Sequence, residues 1–286
     1  MINEVAEPLF LGLDLGTTNA KAATYDGRGV MVGTGVAAYP TTYPQPGWAE
    51  QRPTDWVTAL TTATRQLLAT LGDRKADLVA IGLSAHGPGV VLVDNAGRPL
   101  LATSPTWQDT RCLAQGQWLI EQVGLGWAGQ GMPENSFPPK LRWIIENHPV
   151  VAQQARYALG VKEYIVHWLT GEFATEPTAT GGGQTWWTPV FETCGWSSER
   201  LPPIVPSTTI IGSVRREVAE DLGLPHPLPV VIGLGDGAAA TLSMGALQPG
   251  EMVLTLATAG VKAAIEGSNA VYLVGDWTRR DDAITA

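Results

Sequence analysis

The stretch LFLGLDLGTTNAK, residues 9–21, sets one apolar run ending in Asp14 against a second, AATY at 22–25, with Gly16, Thr17 and Thr18 between them. Two apolar runs split by small polar residues predict a β-hairpin with a polar tip. That tip gathers backbone N–H groups, two hydroxyls and a carboxylate. Gly16 lets backbone come close to an anion, and successive N–H groups with hydroxyls can cradle a phosphate. Asp14 is placed to hold Mg2+, directly or through water, because that ion takes oxygen ligands and keeps several waters. The same residue types also build ordinary surface hairpins.

Working outward, residues 9–14, 20–25 and 30–38 read as a three-strand meander, with Asp26-Gly27-Arg28-Gly29 as the second turn. A polar, proline-rich loop over 39–53 follows and carries Trp48, Glu50 and Gln51. Pro53 suits a first helical position. Beyond it Trp56, Val57, Leu60, Ala63, Leu67 and Leu71 recur at helical spacing, which predicts a helix over 53–71 capped by Gly72. Apolar runs at 77–84 and 90–93 read as strands. The order β-β-β-α-β predicts a mixed sheet with helices on its faces, an α/β fold. The middle third is more helical, with candidates at 109–123, 139–147, 150–157 and 161–169. Gly- and Pro-rich connections lie at 124–139 and 175–189, and Gly181-Gly182-Gly183 reads as a loop. A short helix near 215–222, a strand at 229–233 and a strand at 251–256 complete the assignment. The tail from 266 to 286 carries no clear pattern.

The 286 residues allow one large domain or two smaller ones. A hydrophobic content of 44% with 16% charged residues fits a soluble globular chain. The net charge of −9 argues against a nucleic-acid partner. No apolar run is long enough to span a membrane, and the N-terminus shows no secretion signal, so the expected location is cytoplasmic. Two cysteines, Cys112 and Cys194, neither staple a chain of this size nor complete a zinc site, and are expected to be free thiols.

Three groups of residues could carry chemistry. Asp236 sits in GLGDGAAATLSMGAL at 233–247, at the end of an apolar strand, flanked by glycines and opening a helix. Sheets of this class place their sites there. Such an Asp can take a proton from a hydroxyl as general base, and it fits a helix N-cap as well. Trp107, Asp109 and Arg111 form a W-x-D-x-R pattern. An aromatic plate with a charged pair suits a sugar or polyol, and it also suits a structural Trp beside an internal ion pair. His86, in SAHGPG after the 77–84 strand, fits either a ligand contact or a loop histidine satisfied by its neighbours. Lys21 could approach a phosphate or lie solvated on its strand.

At this point the residues resemble the FGGY carbohydrate kinases, the family of xylulose, gluconate, ribulose and glycerol kinases. GLDLGTTNAK at 12–21 looks like the family's first phosphate motif, and WAEQRPTDW at 48–56 like the segment before its first helix. WQDTR at 107–111 is similar to the sugar-pocket motif. PPKLRWIIENHP at 138–149 and VKEYIVHWLTGEFATE at 161–176 resemble its helical insert, and GLGDGAAA at 233–240 its catalytic-base segment. The resemblance implies an actin-like, ribonuclease-H-type fold and ATP-dependent phosphorylation of a sugar or polyol hydroxyl. It implies Asp236 as the base and Asp14 as the Mg2+ ligand. Gly16, Thr17 and Thr18 would line the phosphates, with Thr258 and Gly260 in a second phosphate motif. His86, Trp107, Asp109 and Arg111 would line the sugar. Where xylulose-type kinases read Ser-Gly-Gln-Met-His-Gly, this chain reads Ser84-Ala85-His86-Gly87-Pro88-Gly89. The resemblance also divides the chain into a sugar-binding domain over 1–250 and the start of an incomplete ATPase-like domain over 251–286. It leaves room for a separate chain supplying the second domain, for self-association, and for a non-catalytic sugar-binding or regulatory remnant.

Overall fold

The structure is a computed structural model that describes residues 7–124, 136–179, 184–245, 252–255, 261–266 and 269–274, with side chains described up to residue 245 apart from 184–188. The opening stretch forms β1 (Leu9–Leu15), β2 (Asn19–Asp26) and β3 (Met31–Ala38). A short β4 (Glu50–Gln51) leads into α1 (Pro53–Leu71). Then come β5 (Leu78–Ala85), β6 (Val91–Val93) and β7 (Ser104–Pro105), the last paired with β4. The helical middle third holds α2 (Leu113–Val123), α3 (Phe137–Asn147), α4 (Pro149–Gln154), β8 (Tyr157–Leu159), α5 (Val161–Thr170) and α6 (Gln184–Thr193). The chain returns to the sheet through β9 (Ile210–Ser213), α7 (Arg216–Leu222), β10 (Pro229–Gly235) and α8 (Asp236–Ser243). Finally β11 (Met252–Thr255), β12 (Val261–Glu266) and β13 (Asn269–Val274) pair antiparallel with one another.

The central sheet has six strands in the order β3-β2-β1-β5-β10-β9. The first three are an antiparallel meander, with Leu13 opposite Ala22 and Ala22 opposite Gly35. β5 runs parallel to β1, and β10 parallel to β5, so the ends of β1, β5 and β10 that carry Leu15, Ala85 and Gly235 lie together. Alternation explains the burial. Leu9, Leu11, Leu13 and Leu15 point to one face and are buried, and they meet Trp56, Leu60, Ala63 and Leu67 of α1. The helix comes very close at β3: a Cβ on Gly35 would lie 2.1 Å from the Ala63 carbonyl oxygen. The opposite face carries the partly exposed Phe10 and Tyr25. A second core joins Phe137, Leu141 and Ile144 of α3 to Phe191 and Trp196.

The meander and the first helix match the sequence reading closely, and three middle-third assignments need correction. α2 starts at Leu113 rather than 109, because Asp109 closes a turn with Thr106 and its carboxylate accepts the Arg111 N–H. The helix expected over 150–157 stops at Gln154, since 157–159 pairs with β6 and Arg156 N–H bonds to the Val93 carbonyl. Helix α6 runs through part of a stretch read as a connection. Pro189 suggested a break, yet the neighbouring Val190 and Phe191 are buried, and Phe191 packs on Phe137. Packing outweighs the proline there. The glycine triplet 181–183 lies outside the described residues, as do Thr258 and Gly260.

Candidate active site

The hairpin tip between β1 and β2 is braced by side chains that arrive from elsewhere in the chain. Gly16 N–H closes the turn onto the Asn19 carbonyl at 3.0 Å. The Tyr39 hydroxyl donates to the Gly16 carbonyl. Gln51 donates to the Thr17 carbonyl at 2.7 Å, and the indole N–H of the buried Trp56 in turn donates to Gln51 at 2.9 Å. Trp107 donates its indole N–H to the Thr17 hydroxyl at 2.8 Å. The structure thus joins the W-x-D-x-R segment to the tip through Trp107. Thr18 stays exposed. Lys21 is not a lone solvated cation: its ammonium lies 3.3 Å from the Asp14 carboxylate, across the two strands.

Asp236 is the first residue of α8, with Gly235 as the N-cap in extended conformation. The register of the sheet ladder shifts shortly before it, between Val231 and Leu234. Gly233 has φ +70°, and a Cβ there would lie 1.8 Å from the Leu83 carbonyl oxygen, so only glycine fits. The Asp236 carboxylate accepts the Gly237 N–H at 2.7 Å. Although its tip reaches solvent, the protein atoms around it strip away much of its hydration. That desolvation, with a smaller push from Asp14, outweighs the Gly237 bond and the attraction of Lys21 and raises its pKa to about 6. Asp14 and Asp236 therefore sense each other across one site. Among the described residues no cluster of three His, Cys, Asp or Glu side chains could hold a metal. Asp14 together with phosphate oxygens is nonetheless the kind of ligand set Mg2+ takes, one or two carboxylates plus the substrate's own oxygens.

Asp109 and Arg111 are turned inward. Asp109 is fully buried, and its two oxygens accept from Ala49 N–H (2.7 Å), Arg111 N–H (3.1 Å), Arg111 Nε (2.8 Å) and Arg111 Nη2 (2.6 Å). Arg111 also pairs with Glu50 at 2.7 Å and lies over the rings of Trp48 (3.6 Å) and Trp143 (5.0 Å). This knot ties the 48–51 loop to the 106–111 turn behind Trp107. His86 is 2% exposed and edge-on to Trp56, and among the described residues neither ring nitrogen has a hydrogen-bond partner. Its backbone N–H bonds to the Leu15 carbonyl at 2.8 Å, which places it at the foot of the tip.

Residues that the sequence reading did not single out bind the base strand to the helical layer. Glu176, Thr178 and Ser207 form hydrogen bonds that end on the backbone of Gly233 and Gly235. Glu176 lies in the quoted insert segment, and a Glu ahead of a small-residue loop carries no signal of its own. Cys112 and Cys194 are buried thiols, and burial pushes them up to about 11 and about 12. Among the described residues no helix is long and apolar enough to cross a membrane.

The sequence matches the FGGY family of carbohydrate kinases, N-terminal domain, over residues 9–243. It is 29% identical to a xylulose kinase from Lactococcus lactis over 92% of this chain and 54% of that protein. A gluconokinase from Bacillus licheniformis is 26% identical over 87% of this chain and 50% of its own length. The crystal structure of xylulose kinase from Rhodospirillum rubrum superposes with a TM-score of 0.84 at 27% identity, covering 92% of this chain and 56% of that one. The chain spans about half the length of the curated relatives it matches. Sheet order, braced hairpin tip and sequence agree on the actin-like, ribonuclease-H-type fold, and the chain belongs to the FGGY family of carbohydrate kinases through its N-terminal domain.

Proposed function

We propose that this chain is the sugar-binding half of an ATP-dependent carbohydrate kinase, with Asp236 as the base that takes the proton from the acceptor hydroxyl. The observation that carries the reading is the placement of Asp236 opposite Asp14 at the braced tip, with a pKa of about 6. A base near the working pH combines enough ionised form with enough driving force for proton transfer. When bound, Mg2+-ATP supplies the transferable phosphoryl group and offsets its charge, and Asp14 with the Gly16, Thr17 and Thr18 tip would hold it. The Asp236 carboxylate holds the acceptor O–H, draws its proton as the oxygen attacks, and keeps that proton while the product forms. Trp107, held by Thr17, offers a ring against the C–H face of the sugar. The xylulose and gluconate kinases among the relatives support a ketose or aldonate acceptor. We place the domain boundary near residue 250, after the matched region, with the second half supplied by further sequence or by a separate chain.

The test uses D-xylulose and D-gluconate as probes. Titration calorimetry on the 286-residue chain should show sugar binding, and Asp236→Ala should keep that binding while abolishing ATP-dependent phosphorylation in the active assembly. Full turnover in Asp236→Ala would remove the base assignment. A second reading is a sugar-binding or regulatory remnant of such a kinase. Sugar binding without phosphorylation, even with the second half of a relative added, would select it.

A further inference from the structure

We propose that Glu176 is a positioning residue for Asp236, acting through Thr178 and Ser207 to fix the last residues of β10 and the start of α8. The inference rests on the reading of Asp236 as the base. Glu176 is fully buried. Its Oε1 accepts from the Lys162 ammonium, from the Thr178 hydroxyl at 2.6 Å and from Ala179 N–H at 3.1 Å. Its Oε2 accepts from Thr178 N–H at 2.8 Å and from the Ser207 hydroxyl at 3.0 Å. Burial alone would favour the neutral acid, but Lys162 and Thr178 outweigh it and hold Glu176 ionised, below its ordinary range.

An ionised carboxylate only accepts hydrogen bonds. It therefore fixes the direction of both hydroxyls that donate to it. With its hydrogen committed to Glu176, Thr178 has lone pairs left to accept, and it accepts the Gly235 N–H at 2.9 Å. Ser207 likewise donates its hydroxyl to Glu176 while its carbonyl accepts the Gly233 N–H at 3.1 Å. Gly233 lies inside the β10–β5 register shift, between Val231 and Leu234, and Gly235 is the last residue of the ladder, opposite Ala85. Across the shift and at the end of the ladder, residues bonded to Glu176 add a second set of hydrogen bonds to the strand. Gly235 is the N-cap of α8 and precedes Asp236, so its placement sets the direction in which the Asp236 carboxylate leaves the backbone. A role confined to neutralising Lys162 would not require the further bonds to Thr178 and Ser207 to end on this strand.

Amide hydrogen exchange on the full 286-residue chain tests the proposal, because Gly237 N–H bonds to the Asp236 carboxylate and so reports its aim. Thr178→Val removes the acceptor for Gly235 and should speed exchange at both Gly235 and Gly237 by about tenfold, the scale of one lost hydrogen bond, with the β1 and β5 amides unchanged. Thr178→Ser keeps the hydroxyl and should restore both rates, while Glu176→Gln should behave like Thr178→Val. Faster exchange at Gly235 with Gly237 unchanged would overturn the proposal, since the strand would then be held without aiming the carboxylate. Uniform acceleration across the sheet, or loss of folding in Thr178→Val, would overturn it too by making the cluster purely structural. Full phosphorylation by Asp236→Ala would sink the base reading separately and leave the exchange result standing.

Discussion

His86 ties the stability of the fold to pH, with a sign and size that follow from its burial. The residue is 2% exposed and neither ring nitrogen has a partner among the described residues, so the charged form has nothing there to compensate its lost hydration. Burial lowers its pKa from 6.5 to about 4. Between those values the unfolded chain holds a proton that the folded chain lacks. Stability therefore falls as pH drops below 6.5, and the loss levels off near pH 4. At 1.36 kcal/mol per unit, the loss is roughly 2 kcal/mol by pH 5 and roughly 3 kcal/mol once pH 4 is passed. Replacement by leucine removes the titrating group and the two orphan nitrogens. Urea denaturation of the wild type and His86→Leu at pH 7.5, 6 and 5, extrapolated linearly to water, isolates the contribution because other groups cancel. The stability difference between the two proteins should shift by roughly 2 kcal/mol in favour of His86→Leu between pH 7.5 and 5. Parallel pH profiles would refute the reasoning, and would mean that His86 finds a partner or water when protonated.

Phosphorylation by the active assembly should fall on the acid side of about pH 6, as Asp236 takes up its proton, and a rate flat from pH 7.5 to 5 would contradict a titrating base there. Arg111→Ala strands the buried Asp109 and Glu50 without their cation and removes the contact over Trp48, so it should cost about 3–5 kcal/mol in a urea melt. A loss under 1 kcal/mol would show the knot to be dispensable. Gly35→Ala should lower the melting temperature markedly, because its Cβ would meet the α1 backbone at Ala63 and Leu67, which cannot yield without moving the helix off the sheet. An unchanged melting temperature would show that α1 can shift.

Much of the frame was legible because its signals are local. The alternation of Leu9, Leu11, Leu13 and Leu15 and the helical spacing from Trp56 to Leu71 set the meander and α1 to within a residue or so. Pro53 and Gly72 marked the helix ends by backbone chemistry alone. Asp14, Asp236 and Trp107 were visible as residue types in a pattern, and the structure brings them to one place. The inward turn of Asp109 was not legible. W-x-D-x-R reads the same whether the pair faces a sugar or closes on Ala49 and Glu50, and only the distant 48–51 loop decides. The Glu176 cluster was hidden for the same reason, since it joins residues from 162 to 235 through side-chain bonds that leave no periodicity. Helix α6 was missed because Pro189 is a strong local signal overruled by burial at Phe191, a contact made with α3.

The charge around the tip sets a condition on nucleotide binding. Asp14 and Asp236 are two carboxylates close enough to repel, and among the described residues Lys21 is a cation that acts on both. Lys21 is half-exposed and already paired with Asp14, so solvent screens much of what it could offer a polyphosphate. A site so composed repels a free nucleotide and tolerates one whose charge is offset by a divalent ion. ATP affinity, measured by calorimetry, should therefore rise at least about tenfold when Mg2+ is added. The affinity for a neutral sugar such as D-xylulose should not change. Equal ATP affinity with and without Mg2+ would mean that the compensating positive charge comes from outside the Asp14, Lys21 and Asp236 cluster.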